Sequence, residues 1–162
     1  MPATARQIPA ALTSVATKPL FTMWLDVNPL QKIGTGQITQ QIGVIRGGSF
    51  DGERLSGEIL DGGSDWQTIR PDGSVLLDCR LALKTTDGAT IAMTYAGIRA
   101  ASPEVQARLA KGDPVDPSEY YFRINPLFHA AHPKYDWLNR VVAVGSGHRL
   151  PDGPIYSVFE LL

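Results

Sequence analysis

From Leu20 to Leu161 the chain is a succession of short runs in which apolar and polar residues alternate, cut at near-regular intervals by turn residues. A period of two puts successive side chains on opposite faces of a strand, so this pattern excludes a helical protein and specifies half-buried β-strands. Phe21, Met23, Leu25 and Val27 alternate with Thr22, Trp24 and Asp26, and Asn28-Pro29 closes that run. Gln37–Arg46, Leu55–Leu60, Trp66–Arg70, Ser74–Lys84, Thr90–Ala100, Tyr120–Phe128, Leu138–Arg149 and Ile155–Leu161 read as further strands. Pro71-Asp72-Gly73, Thr86-Asp87-Gly88 and Pro151-Asp152-Gly153 have turn chemistry. One helix is expected, near Ser102–Lys111: Ser102 is a natural N-cap, Pro103 fits the first helical position and Gly112 ends it. The expected fold is all-β, an antiparallel closed barrel of about eight to nine strands with one short helix. A sandwich is the alternative.

The densest turn signal is Gly47-Gly48-Ser49-Phe50-Asp51-Gly52, continued through Leu55 to Gln67, with six glycines in seventeen residues. Glycine in a strand context marks a bend or the close approach of another backbone. This segment delivers an acid and an indole, Asp65 and Trp66, just past Gly62-Gly63. A carboxylate desolvated beside an aromatic wall is raised toward useful acid–base values. The competing reading is a turn in which Asp65 accepts backbone N–H bonds and Trp66 plugs the barrel end.

Length fits one domain, with residues 1–18 as a flexible N-terminal arm and 19–162 as a single β-barrel domain. The net charge of −1 lacks the basic excess that nucleic acid or an anionic membrane would call for, so a small-molecule ligand is the expected partner. Cys79 is the lone cysteine, which rules out an internal disulfide and fits a cytoplasmic protein. No apolar run reaches bilayer-spanning length, and none forms a signal-peptide core. Three imidazoles, His129, His132 and His148, could ligate zinc, but Ala130-Ala131 and Pro133 place the first two in a strand-to-loop segment and not on a helix face, and Gly145-x-Gly147 is not followed by a helix as a nucleotide loop requires. No metal and no cofactor are expected.

Strand parity leaves two orientations open. Val75, Leu77, Cys79, Leu81 and Leu83 share one face of Ser74–Lys84, with Asp78 and Arg80 on the other; Tyr121, Arg123 and Asn125 oppose Tyr120, Phe122 and Ile124. Either the apolar face forms the core and the polar one meets water, or the polar face lines a ligand-holding lumen. The second orientation needs its apolar outside covered and so implies a homo-oligomer, by default a homodimer. On it, Asp65, Asp78 and Tyr121 are the candidate catalytic groups. Trp66, Arg80, Tyr95, Arg99, Arg123, Trp137 and Asn139 are the candidate substrate-binding residues.

Ten elements in order resemble those of domain of unknown function family 3237: Gly48-x-Phe50-x-Gly52, Leu55-x-Gly57-x-Ile59-Leu60-x-Gly62-Gly63-x-Asp65-Trp66, Arg70-x-Asp72-Gly73, Leu77-Asp78-Cys79-Arg80, Thr86-Asp87-Gly88-Ala89-x-Ile91, Gly97-x-Arg99, Tyr120-Tyr121-Phe122-Arg123, Trp137-Leu138-Asn139, Val144-Gly145-x-Gly147-x-Arg149 and Tyr156-x-Val158. The resemblance implies a closed barrel similar to those of the allene oxide cyclase type, which bind ligands inside, and implies no settled reaction. Where that family often carries Phe-Glu-Thr, this chain has Phe128-His129-Ala130, so no role for that glutamate transfers. Two functions fit: a cofactor-independent enzyme of cyclase, isomerase, hydratase or lyase type acting on a compact, partly apolar organic molecule, or a non-catalytic binding or carrier protein.

Overall fold

The computed structural model describes residues 7–34, 36 and 39–162. Among these, ten strands form: β1 Thr17–Val27, β2 Gln31–Ile33, β3 Thr39–Asp51, β4 Gly57–Ile59, β5 Gly63–Ile69, β6 Val75–Thr85, β7 Thr90–Ala100, β8 Tyr121–Ala130, β9 Ala143–Leu150 and β10 Gly153–Leu161. Eight of them close a ring in the order β1-β10-β9-β8-β7-β6-β5-β3 and back to β1, every pair antiparallel, with β2 and β4 as short additions. Closure is made at β1, where Met23 faces Tyr156 of β10 on one side and Phe50 of β3 on the other. A ring has no free edge, which removes the template for edge-to-edge aggregation.

The glycine-rich segment is where β3 bends to pair with β5 through its first half and with β1 and β4 through its second. Gly48 has φ +146° there, and a Cβ on it would stand 2.0 Å from the Trp24 carbonyl oxygen. Only glycine lets the two backbones approach so closely.

The apolar-in orientation is the one realised. On β6, Val75, Leu77, Cys79, Leu81 and Leu83 are buried while Asp78 and Arg80 are exposed. On β8, Phe122 and Ile124 are buried while Tyr121, Arg123 and Asn125 are exposed. Ile91, Met93 and Leu83 are fully enclosed in the core, and each such side chain contributes roughly 1.5–3 kcal/mol relative to exposure. The inward polar face that motivated a homo-oligomer is therefore absent, and that reason for expecting one lapses.

Helix α1, Pro103–Lys111, has Ser102 accepting from the Val105 N–H, Pro103 at its start and Gly112 in the left-handed region at φ 78°. Val105 and Leu109 pack inward, and the helix lies across one barrel end, where Arg149 Nη1 donates to the Leu109 carbonyl at 2.7 Å. The other end is plugged by a 3-10 segment, Pro133–Arg140, through buried Tyr135 and Leu138. The alternation expected over Leu138–Arg149 begins only at Ala143, because Leu138–Arg140 belong to that plug. Strand β3 runs on to Asp51 rather than stopping at Arg46, and Gln37 and Ile38 lie outside the described residues. Of the expected arm, residues 1–6 also lie outside; Ala10–Leu12 form a single 3-10 turn, and Thr17 already pairs with Leu161. No helix among the described residues is long and apolar enough to cross a membrane.

Candidate functional site

At the α1 end the barrel interior is not filled. A cavity of about 570 Å³ opens there, floored by Leu25, Ile45, Leu77 and Phe122 and rimmed by the β1–β2 and β9–β10 connections. Strand register brings the polar residues to it. Asp65 on β5 pairs with Cys79 on β6, which pairs with Tyr95 on β7, so the three form one inward row. Gly43 lies opposite Asp65 on β3, with the Val27 and Leu30 side chains closing over it. Two inward positions further toward the rim, Arg99 faces Phe122, and Gly147 faces Tyr156.

Asp65 is 7% exposed and faces this cavity. Its Oδ2 accepts from Gln67 Nε2 at 2.8 Å and its Oδ1 from the Asp78 backbone N–H at 3.1 Å. Gln67 is held in turn by Gln41, whose Nε2 donates to Gln67 Oε1 at 2.7 Å, so the carboxyl has a fixed direction. Burial pushes the Asp65 carboxyl above its ordinary range; the Gln67 and Asp78 hydrogen bonds and the Arg99 charge pull part of the way back. The Tyr95 and Tyr156 hydroxyls lie 3.5 Å apart, and burial raises both phenols, keeping them neutral donors. Burial likewise raises the Cys79 thiol, with the Asp65 charge adding to it, so no thiolate nucleophile forms. The arrangement offers an acid–base carboxyl, two phenolic donors and the guanidinium groups of Arg46, Arg99 and Arg149 around an apolar floor.

Of the residues singled out by sequence, Asp65, Tyr95 and Arg99 meet in this cavity. Asp78, Arg80, Tyr121 and Arg123 are exposed on the outer wall, one residue out of phase with the lumen, and the expected convergence of these four with Asp65 fails for that reason. Arg123 stacks on Tyr121 at 5.1 Å on that outer surface. Trp66 also points outward, 49% exposed, because it alternates with Asp65. Trp137 and Asn139 sit at the plugged end. Arg54 covers the Trp137 ring at 4.0 Å, and Asn139 bonds both the N–H and the carbonyl of Ala130 at 2.8 Å. Residues the sequence reading passed over are Gln41, Gln67, Tyr156 and Arg149. Gln67 shares a face with Asp65, and Arg149 and Tyr156 share one with buried Gly147 and Val158, so consistent inward parity was the signal that finds them.

Among the described residues no three His, Cys, Asp or Glu side chains gather as a metal site. His148 is engaged by the Tyr120 hydroxyl at 2.9 Å, and His132 accepts from the Lys134 N–H.

A family profile described as protein of unknown function (DUF3237) matches residues 15–161. The chain belongs to the DUF3237 family. A UPF0311 protein of Rhodopseudomonas palustris is 38% identical over 152 residues, covering 92% of this chain and 98% of that protein. A crystal structure of a conserved protein of unknown function from the same organism superposes with a TM-score of 0.88 at 36% identity, covering 92% of this chain and 99% of the other. The hydroalkoxylation enzyme phnH of Penicillium herquei is 31% identical over 104 residues, 64% of this chain and 51% of that protein. A crystal structure of an enzyme from Penicillium herquei shares the fold, with a TM-score of 0.73 at 22% identity over 96% of this chain and all of the other. A protein 36% identical to this chain thus has this barrel, and a distant relative is an enzyme.

Proposed function

We propose that this DUF3237 protein binds a compact, partly apolar organic molecule in the Asp65 cavity and moves a proton on it without a cofactor, in cyclase, isomerase, hydratase or lyase type chemistry. The observation that carries the reading is Asp65, a carboxyl 7% exposed in the cavity wall and raised by burial, beside two neutral phenols. The other acid at the cavity, Asp152, lies in the exposed β9–β10 turn. A protonated carboxyl gives its proton to a carbon of a double bond and recovers one from the attacking hydroxyl, so the cycle balances within one residue. Tyr95 and Tyr156 donate to the substrate's carbonyl or enolate oxygen. Addition of an alcohol across a carbon–carbon double bond, the reaction in the name of the Penicillium herquei relative, is chemistry of this kind. Asp78 and Tyr121 take no part in it, since both face outward. A cytoplasmic site of action belongs to the same reading, supported by the lone, buried Cys79.

One observation favours the alternative of a non-catalytic carrier. Each Asp65 oxygen already accepts a hydrogen bond, as a purely structural carboxylate would. Turnover of a panel of hydroxy-alkenes and unsaturated carbonyl compounds, compared between wild type and Asp65→Asn, separates the two. The enzyme reading expects turnover lost by ~10²–10⁴-fold, the share typical of a positioned acid–base group, with binding retained. Tight binding of panel members with no turnover by either protein gives the carrier.

A further inference from the structure

The space beside Asp65 does not end at the barrel rim. A second cavity, of about 380 Å³, lies beneath α1, against Ile69 and Val75. Leu30, Arg99 and Arg149 line both cavities, so two guanidinium side chains stand on the divide between them. Register puts them there. Arg99 faces Phe122 across the β7–β8 ladder, and Arg149 follows Gly147 by two residues on the inward face of β9. Their charges converge over β8 instead of spreading into solvent.

Neither arginine is among the ion pairs formed by the described residues. The Arg99 guanidinium lies over the Phe122 ring at 5.6 Å. Arg149 gives one N–H to the Leu109 carbonyl in the last turn of α1, and its side chain lines both cavities. The second cavity also carries Lys32 and no acidic residue. In the first cavity, both Asp65 oxygens are already engaged by Gln67 and the Asp78 N–H, and Asp152 lies in the exposed turn. Two like charges held together in partly dehydrated space are unfavourable by themselves. They become favourable when an anion sits between them, since guanidinium forks pair with planar carboxylates. Burial and the neighbouring Arg149 charge together hold Arg99 down to about 10, the electrostatic signature of a cation lacking its partner.

We propose that Arg99 and Arg149 form a carboxylate clamp that restricts the substrates of the Asp65 cavity to organic acids. The carboxylate rests on the divide and the apolar body fills the larger cavity. This rests on the cavity being the binding site, as proposed above. It also gives the ligand a direction: the carboxylate is drawn to the arginine pair and repelled by any charge on Asp65, so the opposite end of the molecule meets Asp65, Tyr95 and Tyr156.

The test is calorimetric titration of the full chain at low salt with 2-naphthoate and with its neutral isostere 2-naphthamide, on wild type, Arg99→Gln and Arg149→Gln. The clamp predicts that wild type prefers the acid by about tenfold or more, the effect of a charge-assisted pair. Each glutamine variant brings the two ligands to within about threefold while the affinity for the amide stays put. Because Arg149 also holds α1, Arg149→Lys serves as a second variant; it keeps the charge and retains a preference for the acid. Equal affinity for acid and amide in wild type, or an undiminished preference for the acid in both glutamine variants, overturns the clamp and leaves the cavity reading standing. Failure of both ligands to bind wild type overturns the cavity reading itself, and the clamp with it.

Discussion

Replacing Arg99 with methionine should stabilise this protein. Burial, and then the Arg149 charge, hold Arg99 at about 10 in the fold, well below the ordinary arginine range of the unfolded chain. For a base depressed by folding, the penalty is present in full below the folded value and disappears as pH rises toward the unfolded one. At pH 7 that penalty corresponds to roughly 3 kcal/mol against the folded state. Methionine keeps the unbranched stem and removes the charge. It gives up the contact with the Phe122 ring, worth about 0.5–1 kcal/mol, and some packing of the longer side chain. A net gain of ~1–2 kcal/mol remains, which for a chain of this size raises the melting temperature by about 2–8 °C. Thermal denaturation at pH 7 followed by circular dichroism reads this directly, with Arg99→Lys as the charge-keeping control, expected to gain nothing. A lower melting temperature for Arg99→Met, or an equal rise for Arg99→Lys, would refute the view that Arg99 is a cation waiting for a ligand.

Asp65→Asn should change how stability depends on pH. Burial raises the folded-state carboxyl above 3.8, so its contribution is greatest below that value and is lost as pH climbs through the folded value. The melting temperature of the variant relative to wild type should therefore increase between pH 4 and pH 7, and a constant difference would contradict the raised carboxyl. Asp78→Asn, on the exposed outer wall, should stay within about 0.5 kcal/mol of wild type in urea unfolding; a loss of several kcal/mol would mean that Asp78 holds a buried partner. Gly48→Ala should cost about 2–5 kcal/mol in the same assay, because its Cβ meets the Trp24 carbonyl oxygen at 2.0 Å and its φ of +146° suits no other residue. A neutral result there would mean β3 does not bend as described.

Period-2 patterning and turn chemistry were enough to read the barrel. Thr90–Ala100 falls where the alternation put it, and the Ser102–Pro103 cap and Gly112 stop bound the helix as expected. The Pro133–Arg140 plug was missed because its apolar residues, Tyr135 and Leu138, are three apart at the end of an alternating run and do not betray a 3-10 turn. Asp65 was legible from its glycine context, and Tyr95 and Arg99 were among the candidate substrate-binding residues. The error lay in parity: pattern alone does not say which face of a closed sheet points inward, and choosing the polar face moved Asp78, Arg80, Tyr121 and Arg123 into the lumen together. Gln67, Arg149 and Tyr156 went unselected because inward parity was not followed along β5, β9 and β10.

Proton transfer to and from carbon by Asp65 is the central claim, and deuterium wash-in tests it without knowledge of the natural substrate. Unsaturated organic acids and carbonyl compounds that bind the protein, identified by saturation-transfer NMR, are incubated with it in D2O and followed for loss of carbon-bound proton signals. The account predicts exchange at carbon with wild type on at least one bound compound, and none above background with Asp65→Asn under conditions where binding persists. Bound compounds that never exchange, or exchange at equal rates with wild type and Asp65→Asn, would contradict it.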